Sequence, residues 1–130
     1  MHAEEPLRGY RFLIIEDEVM QAWQLSGMVA DMGGAVEMIA YSFAQAREVL
    51  ENAAFDCAIV DLNLAGTYAY NIAETLRRRG IPFVFCSAYA DRADVFAGMS
   101  DVPRLGKPVD PKDLCEALLR VLPQSPVKQH

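Results

Sequence analysis

Histidine is nearly absent: the chain has two, His2 and His130, one at each end. That removes imidazole-based metal sites and Ser–His or Cys–His nucleophiles from consideration. Cysteine is scarce as well. Cys57, Cys86 and Cys115 are odd in number and form no CxxC pair. The first two fall in expected strands and the third in an expected helix, so they read as buried apolar residues in a reducing compartment. Positive charge is in deficit, with 12 basic against 18 acidic residues and a net charge of −6. The only basic run, Arg77-Arg78-Arg79, stands where a helix ends and complements its dipole. Duplex binding needs far more positive charge, so no nucleic-acid partner is expected. No apolar run is long enough to span a bilayer, and "MHAEEPLRGYR" has no apolar stretch of the secretory kind. The expectation is a cytoplasmic protein without a membrane partner.

What is present is a chain of 130 residues, 52% of them hydrophobic, which suits one packed domain. Five apolar runs alternate with helix-like segments. "RFLIIE" reads as the first strand. "EVMQAWQLSGMVADMGG" follows, with Ala22, Leu25, Met28, Val29 and Met32 at helical spacing and a stop at Gly33-Gly34. "AVEMIAY" alternates Val36, Met38 and Ala40 against the residues between them, as a less buried strand does. Ser42 and Gln45 make a capping box for the helix "FAQAREVLENA". "FDCAIVDLNLAG" holds a continuous apolar run, the third strand, ending on Asp61. The helix "YNIAETLRRR" ends at Gly80, and "PFVFCS" is the fourth strand. A weakly amphipathic helix is expected over 91–100, and "VPRLGK" is a fifth strand of poor propensity. Asp110 caps the last helix, with Pro111 at its first position and an apolar stripe of Leu114, Ala117, Leu118, Val121 and Leu122. The expected division is an N-terminal extension over 1–9, one domain over 10–122 and a polar tail over 123–130.

Strict alternation implies an α/β fold, a doubly wound five-stranded parallel sheet covered on both faces. The order 2-1-3-4-5 is the common one, with a ligand crevice beyond the carboxyl ends of the strands. Polar residues fall at those ends. Glu16 and Asp17 follow the first strand, Asp61 ends the third, Ser87 the fourth, and Lys107-Pro108 follows the fifth. Three converging carboxylates repel one another unless positive charge joins them. A hard divalent cation such as Mg²⁺ suits them, since no thiol or imidazole is at hand to favour zinc. An Asp beside Mg²⁺, a Lys and a hydroxyl is equipped to accept a phosphoryl group. Asp17 also stands where it caps the first helix. Trp23 reads as core or partner-facing.

The pieces "IIEDE", "AIVDLNL", "FCSAY" and "GKPVD", in this order and spacing, resemble a bacterial response-regulator receiver domain over residues 10–122. The resemblance implies that Asp61 is the phospho-acceptor, in a two-component system with a sensor histidine kinase or phosphotransfer protein as donor. It implies Mg²⁺ held by Asp17 and Asp61, by the backbone carbonyl of Asn63, and by Glu16 through water. Lys107 and the amide of Ala88 then contact the phosphoryl group, Ser87 is the switch hydroxyl, and the bond before Pro108 is cis. With the chain spent on this domain, output runs through contacts with a target protein or a second copy, and the protein is not a turnover enzyme.

The sequence departs from the family at three positions, Ala65, Gly66 and Arg104. Ala65 replaces a usual Pro, and Gly66 comes early, which leaves the loop path over the site open. Arg104 occupies the position of the aromatic switch. Tyr89, two residues past Ser87, either shields the phosphoryl group or packs. "FCSAY" is similar to the Phe-Ala-Thr-Gly-Tyr pattern of some stand-alone receivers in stress signalling. Two other readings stay open: a docking or dimerisation module that works unphosphorylated, and an Asp-nucleophile phosphatase. The phosphatase ranks last, because Asn63 stands where a general-acid Asp is needed.

Overall fold

Continuous apolar sequence marks the central strands. Arg11–Ile15 (β1) and Cys57–Asp61 (β3) are buried almost throughout, as strands covered by helices on both faces must be. The computed structural model describes residues 5–88 and 98–125. Ala35–Ala40 (β2) lies outside β1, and two short strands, Asn63–Leu64 (β4) and Thr67–Tyr68 (β5), form a separate hairpin. Phe83–Ser87 (β6) and Arg104–Gly106 (β7) complete the main sheet. Its order is β2-β1-β3-β6-β7 with every pairing parallel. Counting the strands of that sheet alone, this is the expected 2-1-3-4-5.

Four helices lie among the described residues. Val19–Asp31 (α1) and Pro111–Val121 (α4) cover one face, packing Leu25, Val29, Leu114 and Leu118 against Phe12, Ile14, Ile59 and Val84. Phe43–Asn52 (α2) and Tyr70–Arg78 (α3) cover the other, with Leu50, Ile72 and Leu76 against Leu13, Val60 and Phe85. The expected helix over 91–100 lies, except for 98–100, outside the described residues.

The caps follow the local sequence. Ser42 Oγ accepts from the Gln45 amide at 3.1 Å, and Gln45 Oε1 accepts from the Tyr41 amide at 2.8 Å. Asp110 Oδ2 accepts from the amides of Lys112 and Asp113, with Pro111 at the first helical position. The segment before β1 joins the packing. Leu7 is buried, its amide donates to Met32 O at 2.9 Å, and the Tyr10 hydroxyl donates to Pro123 O.

One strand differs from its expected phase. The pairing of β1 with β2 runs Phe12↔Val36, then Leu13↔Met38, so Glu37 is an extra residue, a β-bulge. Beyond it the faces exchange: Val36 and Ile39 pack inward together, and Met38 is exposed. The regular alternation of Val36, Met38 and Ala40 is therefore not kept.

Candidate phosphoryl-acceptor site

Because all main-sheet strands are parallel, their carboxyl ends share one edge. The β1 ladder continues one residue past the strand, through the Glu16 amide to Ala40 O at 3.0 Å, and this draws Glu16 inside. Its side chain is fully buried. Glu16 Oε2 accepts from the Glu18 amide at 3.1 Å, and Oε1 from Lys107 Nζ at 3.0 Å. Lys107 Nζ donates also to Asp61 Oδ2 at 3.1 Å, and Asp61 Oδ1 accepts from the Asn63 amide at the same distance. The Lys107 amide donates to Ser87 O at 3.0 Å, extending the pairing of β6 and β7 to the site. The Lys107–Pro108 bond is cis. One ammonium thus ties the end of β1 to the end of β3.

Burial pushes the Glu16 carboxyl up to about 7, since the hydrogen bonds from Glu18 and Lys107 only partly offset the lost hydration. For Lys107 burial acts downward, but hydrogen bonds and charge from Glu16 and Asp61 outweigh it, and the ammonium is held above its ordinary value. Cys86, the register partner of Asp61, and Cys57, at the far end of β3, have thiols pushed up by burial, which leaves them inert as nucleophiles.

Asp17 is left to the cleft. The N-cap of α1 is Glu18, with no side-chain bond, so Asp17 does not cap that helix. Carboxylate oxygens of Glu16, Asp17 and Asp61 lie within 4.8 Å of one another. Three carboxylates against one ammonium leave the cluster short of positive charge, and its donors are all hard oxygens. The residues present therefore fit Mg²⁺. The cleft above them holds about 300 Å³ and is also lined by Asn63, Ser87 and Ala88.

The three positions where the sequence departs from the family are all described. Ala65 and Gly66 form the two-residue turn between β4 and β5, both at positive φ, 50° and 89°. This is the turn that suits a tight hairpin. Asn63 Oδ1 accepts from the Gly66 amide at 2.9 Å and braces it. Arg104 lies with its guanidinium 5.9 Å from the Phe85 ring centroid, a cation–π contact within the sheet. Tyr89 lies outside the described residues. Trp23 is not core, being 59% exposed on α1.

Sequence reasoning did not reach Gln21, Leu62 or Tyr68, which also line the cleft. Gln21 had a signal, four residues after Asp17 at the start of a helix. Tyr68 had none, because the hairpin alone carries it there.

Residues 12–119 match the response regulator receiver domain as a family. The positive alginate biosynthesis regulatory protein of Pseudomonas aeruginosa is 29% identical over 110 residues, covering 82% of this chain and 44% of that protein. Among solved structures, the response regulator PhyR from Brucella abortus has a TM-score of 0.71 and 30% identity, over 85% of this chain and 46% of its own. SdrG from Sphingomonas melonis Fr1 has a TM-score of 0.74 and 32% identity, over 85% of this chain and 93% of its own. The chain thus spans less than half the length of the alginate regulator and of the Brucella PhyR. Among the described residues no helix is long and apolar enough to cross a membrane. With the family match spanning most of the chain and the sheet order in agreement, this protein belongs to the response-regulator receiver domains.

Proposed function

We propose that the protein is a phospho-acceptor switch, in which Asp61 takes a phosphoryl group from a phosphohistidine on a sensor kinase or phosphotransfer protein. The observation that carries this reading is Lys107 bridging Glu16 and Asp61 beneath a cleft lined by Ser87 and Ala88. A carboxylate oxygen of Asp61 attacks phosphorus. The P–O bond forms as the P–N bond to the donor imidazole breaks, and the leaving nitrogen keeps the bonding pair. The Asn63 amide, bonded to Asp61 Oδ1, holds the carboxylate in orientation. Lys107 exchanges its bond to Asp61 for one to a phosphoryl oxygen, and the Ser87 hydroxyl and Ala88 amide donate to the others. Asp17, Asp61 and the Asn63 carbonyl would hold Mg²⁺, with Glu16 acting through water, and the ion would supply positive charge to the transferring oxygens.

The consequence is regulatory rather than metabolic. Gain of the phosphoryl group shifts an equilibrium between two surfaces, by as much as the two states differ in affinity for it. The output face includes β7 and α4, where Arg104 stands on the edge of the sheet.

Intact mass after incubation with acetyl phosphate tests the chemistry. Wild type gains one phosphoryl group with Mg²⁺ and none without it, and Asp61→Asn gains none. Should wild type gain nothing, beryllofluoride separates the remaining cases. A response in the presence of Mg²⁺ means strict dependence on a kinase donor, and no response means a module that docks without phosphorylation.

A further inference from the structure

The first turn of α1 carries a side chain for which the chemistry above has no use. Gln21 lines the acidic cleft, and it also borders a second, more apolar cavity of about 320 Å³, whose walls combine Leu25, Met28, Pro108 and Val109 with Glu16, Gln24 and Lys107. Lys107 borders both cavities with it.

The Gln21 amide nitrogen donates to Glu18 Oε1 at 2.6 Å. An ionised carboxylate accepts and never donates, so the NH₂ end must face Glu18 and the orientation of the amide is fixed. That makes Gln21 Oε1 the end not bonded to Glu18. It is buried, and among the described residues it is the one buried side-chain polar atom without a hydrogen-bond partner. Buried acceptors are seldom left so, because their hydration is lost without replacement.

The missing partner must be a donor. Asp17, Glu18 and Asp61, which share the cleft, are acceptors when ionised, and the donors in its lining, Asn63, Tyr68, Ser87 and Lys107, make no hydrogen bond to Gln21 Oε1. The cleft is also where the carboxylates gather that fit Mg²⁺. Mg²⁺ in such sites keeps several of its waters, and each is a polarised donor.

We propose that Gln21 is a positioning residue for the magnesium hydration shell, its Oε1 accepting a hydrogen bond from a water bound to the ion. The inference rests on the magnesium site of the proposed function. Partners of this kind, one step removed from the metal, commonly change affinity by about 10-fold or more.

Isothermal titration of the whole chain with MgCl₂ tests it, alongside thermal unfolding in EDTA. Gln21→Met keeps the side-chain volume and removes the acceptor. It is expected to weaken Mg²⁺ binding by about 10-fold, while the metal-free protein melts no lower than wild type. Gln21→Glu keeps an acceptor oxygen and binds Mg²⁺ at least as tightly as wild type. Gln21→Leu replaces the Met variant if that one does not fold. Unchanged Mg²⁺ affinity in Gln21→Met, with Asp17→Asn losing its binding, overturns the role of Gln21 and leaves the site standing. A wild type that binds no Mg²⁺ overturns the site reading and this inference together.

Discussion

Glu16 is buried, and loss of hydration favours its protonated form. Its folded value of about 7 stands above its ordinary 4.5. Between those values the native state holds a proton that the unfolded chain releases, so the stability of the metal-free protein falls as pH rises from about 4.5 to about 7. The full effect is of order 3 kcal/mol at most. Urea unfolding in EDTA at a series of pH values measures it, and Glu16→Gln is expected to flatten the slope. At the proposed magnesium site the ion would compete with that proton, so its affinity is expected to rise with pH through the same window in wild type and to change little in Glu16→Gln. Ala65 presents a different strain. Its φ of 50° lies in the left-handed region, where a Cβ costs about 1–2 kcal/mol. Ala65→Gly removes that cost but loosens the unfolded chain. The net expectation is a gain of about 0.5–1 kcal/mol in denaturant unfolding, and a loss of stability would show that the turn is not held as described.

At the scale of elements, the central strands were legible because burial on both faces demands a continuous apolar run. "FLII", "CAIV" and "FVFC" can hardly be anything else. The convergence of Glu16, Asp17, Asp61, Ser87 and Lys107 followed from strand order alone. What stayed hidden depended on register and turns. Val36, Met38 and Ala40 alternate cleanly in the sequence, and only pairing with β1 reveals Glu37 as the extra residue. The hairpin of β4 and β5 was missed because Ala is an unusual residue for a left-handed turn position, so "LAGT" carries a weak signal. Tyr68 reaches the cleft only through that hairpin. The turn from α1 into β2 was read correctly as a stop, but its tightness was not. A Cβ on Gly34 would lie 2.6 Å from Val29 Cγ1 and 2.8 Å from Phe12 Cε1. Both neighbours are buried, so neither can swing clear. Gly34→Ala is expected to destabilise by about 2 kcal/mol, within the range for overpacking, as read by a lower urea midpoint. Gly27→Ala, where a Cβ meets nothing within 4 Å, is the control and is expected to be neutral or stabilising.

Across the whole molecule, the sheet separates two cores and gathers the acids at one edge, so a ligand at that edge touches the ends of several strands at once. Asp61 and Ser87 end neighbouring strands, and Phe85, two residues before Ser87, faces the same side of β6. Phe85 is also the register partner of Arg104 on β7 and lies under its guanidinium. A shift at Ser87 therefore has a short route of packed groups to the outer strand, one in which a cation takes the place of an inward-turning aromatic. Binding at the site must also stabilise the entire fold, because the unfolded chain offers no such constellation. A ligand present at 100 times its Kd adds about 2.7 kcal/mol, which for a domain of this size raises Tm by roughly 5–10 °C. Mg²⁺ with beryllofluoride, standing in for the phosphoryl group, is expected to produce that rise in wild type by scanning calorimetry. Asp61→Asn, which lacks the carboxylate of the proposed acceptor, should show none of it. Ser87→Ala should keep part, because one donor is lost and Lys107 remains. Amide exchange on the same samples then reads the route: slowed exchange over 104–106 in wild type, weakened in Ser87→Ala, places Arg104 within the coupled unit. A full Tm rise with exchange at β7 unchanged would confine the response to the cleft and remove β7 from the output face.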